Sequence, residues 1–252
     1  MIVAADLMVE IPALRYDDHV TKARSILRDD VFREVYIVDD RDKLLGYIDI
    51  SDVLRVVDTK SNITVEGFVR EAAQVTPDTP LTEVSSAILN ARTNSAAVVD
   101  KDAAYLGRVL FSEIFPVLLS QRVNDGRVKD AMSHHPVTCS PGDPVHRIYT
   151  LIVASGFNSF PVVHKDRVIG IISRRDLLRA GKVRTSVKNQ ADTTVERVMT
   201  TPVITVTPDD SLATAGRLMV EHDVSMLPVV DEKKRLVGVI DRHDILGYTR
   251  AK

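Results

Sequence analysis

The stretch Val195-Glu-Arg-Val-Met-Thr-Thr-Pro-Val-Ile-Thr-Val-Thr-Pro-Asp-Asp-Ser-Leu212 decides the reading of the whole chain, because its pieces recur elsewhere. It continues into Leu227-Pro-Val-Val-Asp231, Leu236-Val-Gly-Val-Ile240 and Asp244-Ile-Leu246. The same order runs upstream as Val128-Lys-Asp-Ala-Met132, Pro136-Val-Thr138, Phe160-Pro-Val-Val163, Val168-Ile-Gly-Ile-Ile172 and Asp176-Leu-Leu178. Near the N-terminus it appears as Ala4-Ala-Asp-Leu-Met8, Tyr36-Ile-Val-Asp39, Leu45-Gly-Tyr-Ile48 and Asp52-Val-Leu54. A degenerate copy lies between, with Val69 in the Met position, Ala97-Val-Val-Asp100, Leu106-Gly-Arg-Val109 and Glu113-Ile-Phe115. From anchor to glycine the separation is 38 residues in Met8/Gly46, Val69/Gly107 and Met132/Gly170, and 39 in Met199/Gly238. A register kept four times marks an internal repeat, which governs the fold.

Each copy carries an apolar triplet at i, i+3, i+7, the stripe of an amphipathic helix: Val20/Ala23/Leu27, Leu81/Val84/Ile88, Val145/Ile148/Ile152 and Leu212/Ala215/Met219. Two β-branched runs follow, parted by a polar turn such as Glu232-Lys-Lys-Arg235, a hairpin signal. A short helix then starts near the final Asp or Glu. The expected fold class is α/β (α+β), built from four β-α-β-β-α units at 1–58, 63–121, 127–184 and 192–252. A unit of about 60 residues buries too little core alone, so the copies should pair, first with second and third with fourth. Polar joints are expected at 58–62, 121–126 and 185–192.

The 252 residues hold 33 basic and 35 acidic side chains, a net of −2. That near-neutral total hides a net of −7 up to Gly126 and +5 beyond it, so an anionic ligand is expected on the second half. The basic excess is densest in Arg174, Arg175, Arg179, Lys182, Arg184 and Lys188, against the single acid Asp176. One cysteine forms no internal disulfide, and there is neither an apolar run of 18 residues nor a basic-then-apolar N-terminus. A cytoplasmic protein without signal or membrane anchor is expected.

The runs 199–208, 227–231, 236–240 and 244–246 resemble a cystathionine-β-synthase (CBS) domain. The likeness extends over four copies and is weakest in the second. It implies pseudo-twofold tandem pairs, or Bateman modules, with clefts for adenosyl ligands such as AMP, ADP, ATP or S-adenosylmethionine. It also implies that binding regulates an attached enzyme, channel or partner, and a stand-alone set of repeats with nothing attached is expected.

Gly170-Ile-Ile-Ser173-Arg-Arg-Asp176 matches the family pattern of glycine, hydrophobic pair, Ser/Thr and Asp. An ionised Asp176 is acceptor-only and suits the two hydroxyls of a ribose. The resemblance places Ser173 near ribose and phosphate, where Arg174 and Arg175 would meet phosphates. Ser-x-x-Asp is equally a helix capping box, which alone would account for both residues. In the fourth copy Asp244 keeps the ribose position, but Asp241 replaces Ser/Thr and would repel phosphates unless Arg242 or His243 compensates. His222 precedes Pro228 where a relative in the family has a phosphate-contacting His followed by Arg; here Asp223 follows, and a helix-end histidine is the alternative. The first copy offers Asp52 with Asp49 in the Ser/Thr place, in an acidic half. The second offers Leu110 and Glu113, so no matching site is expected there, although Arg92, equivalent to Asp223, could reach a phosphate held by the first copy. Base contacts are expected after the anchor proline, at Val137-Thr138 and Val203-Ile204, mainly through backbone groups.

No Gly-x-Ser-x-Gly, Cys-His pair, Gly-x-x-x-x-Gly-Lys or Gly-x-Gly-x-x-Gly occurs, so the expectation is a non-enzyme. Cys139 reads as a small core residue, and His134-His135 lacks the spacing of a metal site. The expected function is a regulatory sensor that needs no cofactor, takes an adenine nucleotide as regulatory ligand mainly in copies three and four, forms a homodimer and acts on an unidentified regulated protein. The alternatives are a nucleic-acid binder using the basic run, less favoured, and a ligand-free interaction scaffold.

Overall fold

Two compact units, Met1–Leu118 and Leu119–Lys252, make up the computed structural model of the chain. It describes residues 2–27, 32–56, 62–121, 126–155, 157–179 and 193–250. The expected joints, except Asn62, Gln121 and Gly126, lie outside these described residues, as do Lys182, Arg184 and Lys188 of the basic run.

The first unit opens with α1 (Ala4–Leu7), β1 (Leu14–Arg15), α2 (Val20–Ile26), β2 (Glu34–Val38), β3 (Leu44–Asp49) and α3 (Ile50–Arg55). A 3-10 turn at Glu66–Phe68 then leads to β4 (Gln74–Val75), α4 (Leu81–Ala91), β5 (Ser95–Val99), β6 (Tyr105–Leu110) and α5 (Phe111–Gln121), within which the division between units falls. Its two sheets have the orders β1-β2-β3 and β4-β5-β6, the first pair of each parallel and the second antiparallel. The second unit repeats the order with α6 (Val128–Ala131), α7 (Val145–Ser155), β7 (Ser159–His164), β8 (Arg167–Ser173) and α8 (Arg174–Arg179). After a 3-10 turn at Val195–Arg197 come α9 (Leu212–Glu221), β9 (Met226–Val230), β10 (Leu236–Asp241) and α10 (Arg242–Arg250). Here the expected leading strands shrink to single parallel bridges, Cys139 to Val162 and Val206 to Val229.

The apolar triplets are the reason the long helices sit where they do. Val20, Ala23 and Leu27, Leu81, Val84 and Ile88, and Leu212, Ala215 and Met219 are all buried, and Ile148 and Ile152 anchor α7 while Val145 packs at the edge. All five residues of β2, of β5 and of β9 are buried, the mark of strands covered on both faces.

The repeats of each unit exchange their N-terminal segments. Met199 of the fourth copy covers Gly170 of the third, and Met132 of the third covers Gly238 of the fourth. In the first unit Met8 covers Gly107 and Val69 covers Gly46. The residue after each anchor bridges the residue after that glycine: Thr200 to Ile171, Ser133 to Val239, Val9 to Arg108 and Arg70 to Tyr47. The constant anchor-to-glycine spacing therefore records a contact made between repeats, not within one. Glycine is required because a side chain would strike the incoming segment: a Cβ at Gly238 would lie 2.8 Å from the Ser133 carbonyl oxygen. Val195 of the fourth copy completes the core of the third, beside Ile148, Phe160, Ile172 and Leu177.

Candidate functional site

The segment exchange brings Asp176 against Thr200 and Asp52 against Arg70, in each case the residue that follows the other repeat's anchor. Asp176, on the first turn of α8, is 8% exposed. Its Oδ2 accepts hydrogen bonds from the Ser173 backbone N–H at 2.7 Å and the Ser173 hydroxyl at 2.6 Å, and its Oδ1 accepts from the Thr200 hydroxyl at 2.9 Å. The capping geometry is thus present, with the Ser173 Oγ also 3.3 Å from the Asp176 N–H. The exchange sets Thr200, and with it the start of the segment leading to Val203-Ile204, beside Asp176; the segment holding Val137-Thr138 starts at Ser133, on the hairpin of the fourth copy. Val203 and Ile204 are half-buried, as is Thr138, while Val137 is exposed.

Arg174 is buried, its N–H donating to the Asn158 carbonyl at 2.8 Å, so it does not lie on a solvated face. Arg175 reaches the other repeat and pairs with Asp223 at 3.2 Å. Asp223 has a positive φ of 48° just beyond α9, and Arg92 holds the equivalent left-handed place after α4 at φ 54°. The Asp223 carboxylate also lies 3.8 Å from Arg242, whose Nη2 donates to the Met219 carbonyl. His222 is the exposed C-cap of α9.

At the start of α10 the Asp241 N–H donates to Asp244 Oδ2 at 2.9 Å and the Asp244 N–H to Asp241 Oδ1 at 2.8 Å. Burial, then the Asp241 carboxylate, push Asp244 up to about 7. His243 Nδ1 stands 4.0 Å from Asp241. The fourth copy therefore carries two competing acids where the third carries a serine and one acid.

In the first unit the corresponding position has a different content. Arg70, the register equivalent of Thr200, sets its Nη2 2.6 Å from Asp52 Oδ2 and 2.7 Å from Asp49 Oδ2, with its guanidinium 4.9 Å from the centre of the Tyr47 ring. Burial pushes Asp49 upward, but the Arg70 hydrogen bond and charge override it and hold Asp49 below the ordinary carboxylate range. Asp52 is raised, by burial first.

The CBS domain family model matches residues 3–59, 128–182 and 195–250, together more than half of the chain. The chain belongs to the CBS domain family. Residues 63–121 lie outside the match although they repeat the element order. The CBS chain is 25% identical over 174 residues to protein MJ1225 of Methanocaldococcus jannaschii, covering 66% of this chain and 62% of that one. The solved structure of MJ1225, described as a candidate archaeal homologue of the AMPK γ subunit, superposes with a TM-score of 0.84 at 20% identity over 98% of this chain and 100% of that one, which shows the shared fold. Protein MJ1404 of the same organism is 25% identical over 92% of this chain and 58% of its own length. The homoserine O-acetyltransferase of Methanococcoides burtonii is 32% identical over 47% of this chain, but only 23% of the enzyme is covered. The chain spans less than two thirds of the length of these curated relatives, and the relation to a named enzyme leaves the expected lack of catalysis unsupported by descent.

The first unit of this CBS protein also holds a buried polar cluster that the sequence reading did not single out. Glu34, 3% exposed, accepts from the Ser95 hydroxyl at 2.5 Å and the Asn94 N–H at 2.6 Å, and burial raises it above the ordinary range. Tyr36 hydrogen-bonds the same Ser95 at 2.8 Å, and Arg108 donates to the Glu34 carbonyl while lying over the rings of Phe32 and Tyr36. Cys139 is the core residue expected, its thiol pushed up to about 12 by burial. His134 and His135 are exposed, and no group of three or more His, Cys, Asp or Glu that could hold a metal occurs among the described residues. No helix among them is long and apolar enough to cross a membrane.

Proposed function

We propose that the chain is a regulatory sensor that binds an adenosyl ligand, AMP, ADP, ATP or S-adenosylmethionine, in the clefts of its second unit, chiefly that of Asp176. The four repeats are assigned to residues 1–58, 63–121, 127–184 and 192–252. One observation carries the reading: the buried Asp176 is held by neutral hydroxyl and amide donors, with no cation among the described residues paired to it. Two of those donors are rotatable hydroxyls, which a ribose diol can replace bond for bond at little net cost. Arg175 stands ready for a phosphate, held meanwhile by an exposed ion pair to Asp223 worth about 0–1 kcal/mol. A phosphate that takes Arg175 from Asp223 removes a tie between the third and fourth repeats. Ligand then acts through its differential affinity for the tied and untied arrangements. The wider setting belongs to the same proposal: a cytoplasmic homodimer acting on a protein partner.

Calorimetry with AMP, ATP and S-adenosylmethionine on the intact chain and on Asp176→Ala tests this. Binding by at least one ligand, weakened about tenfold or more in Asp176→Ala, is expected. No heat from any of them, or an affinity unmoved by the substitution, overturns it. Steeply salt-dependent binding to RNA or DNA in place of that heat would favour the basic run as a nucleic-acid contact, a role for which Arg174 is too buried.

A further inference from the structure

The four positions that follow the anchors are register equivalents, each bridged to the residue after the other repeat's glycine. Their chemistry divides by unit. In the second unit the facing pairs are Thr200 with Ile171 and Ser133 with Val239, small or aliphatic throughout. In the first they are Arg70 with Tyr47 and Val9 with Arg108.

We infer that Arg70 is a built-in occupant of the first unit's ribose position, which closes the Asp52 cleft to nucleosides and confines ligand response to the second unit. The inference rests on the reading of Asp176 given above. Asp52 and Asp176 occupy the same place in their repeats, each the third residue after the end of its hairpin. On Asp176 the neighbouring segment places a neutral hydroxyl, which can turn away. On Asp52 it places a cation shared with Asp49 and braced over Tyr47. A ribose offers only neutral hydroxyls and cannot replace that charge; displacing Arg70 would leave two carboxylates facing each other. The Asp52 side chain is 6% exposed and that of Arg70 44%, so the cation covers the acid from the outside. The other half of the first unit is likewise filled from within, by Arg108 at 1% exposure over the rings of Phe32 and Tyr36.

The test uses AMP as probe and calorimetry on the full chain. Asp176→Ala with Asp244→Ala silences the second unit, and Asp49→Ser with Arg70→Thr is then added to copy the Ser173, Asp176 and Thr200 constellation into the first. The silenced protein should give no measurable heat. The added pair should create AMP binding tighter by about tenfold or more, lost again on Asp52→Ala. A folded four-substitution protein without AMP binding overturns the inference, as does AMP binding by the silenced protein that Asp52→Ala abolishes. Should the first unit fail to fold, Thr200→Arg provides the reverse transplant, expected to weaken AMP binding by the otherwise unaltered chain about tenfold or more; an unchanged affinity overturns the inference. If the unaltered chain binds none of AMP, ATP and S-adenosylmethionine, the Asp176 reading falls, and the Asp49→Ser/Arg70→Thr variant still decides on Arg70.

Discussion

Arg175 of the third repeat and Asp223 of the fourth are joined by an ion pair of 3.2 Å, with Arg242 on the far side of the same carboxylate at 3.8 Å. The acid thus occupies the guanidinium that, in the proposed function, would meet a ligand phosphate.

Asp223→Ala should therefore tighten the binding of a phosphate-bearing ligand. The released competitor is exposed, so the gain is about twofold to fivefold. Adenosine, which lacks the phosphate, should show no gain. Parallel calorimetric titrations with AMP and adenosine on both proteins check this, and an equal effect on the two ligands would contradict it.

Gly238→Ala should destabilise the second unit by about 1–3 kcal/mol, because the new methyl meets the Ser133 carbonyl and Met132 and the exchanged segment must move. Gly142→Ala, with open space around it, serves as the control and should stay within about 0.5 kcal/mol. Urea denaturation of the three proteins measures the difference.

Asp244 titrates at about 7 in the folded chain, against an ordinary value of 3.8. Its folded value is the higher one, so its contribution to stability is fully present below about pH 4 and is lost as the pH rises through 7. Compared with Asp244→Asn, the unaltered protein should lose about 1–3 kcal/mol between pH 4 and 8. Denaturant midpoints of the pair across that range should diverge with rising pH; a constant offset would show that Asp244 is not the titrating group. Asp241→Ser should reduce the divergence by removing the repelling carboxylate.

Cys139 is buried in the core of the third repeat with its thiol pushed up to about 12 by burial. It should react with a thiol-specific dye at a small fraction of the rate seen in denaturant, where the thiol returns to its ordinary range. Fast labelling of the native chain would mean that this core opens readily.

The helices were legible because the triplets that define their buried faces sit at helical spacing, as Leu81, Val84 and Ile88 do on α4. Asp176 and its Ser173 cap were legible because both lie within one turn of the chain. The exchange of Met132 and Met199 was not, since a constant spacing along the chain is the same whether the glycine it points to is the repeat's own or its neighbour's. Nor was Arg70 on Asp52, because the repeat pattern defines the acid's position but says nothing of what the partner repeat lays across it. Glu34 gave no signal for a related reason: inside a strand of five buried residues, a polar side chain is explained by Ser95, which is distant in sequence.

The methionine that closes over the other repeat's glycine has a bearing on descent. A repeat copied alone would arrive with a glycine lacking its cover and a methionine with nothing to cover, and both scars would face water. Lineages that gain or shed repeats of this kind should therefore do so in twos, and a fragment cut between the third and fourth repeats should leave two halves that each refold only when mixed with the other.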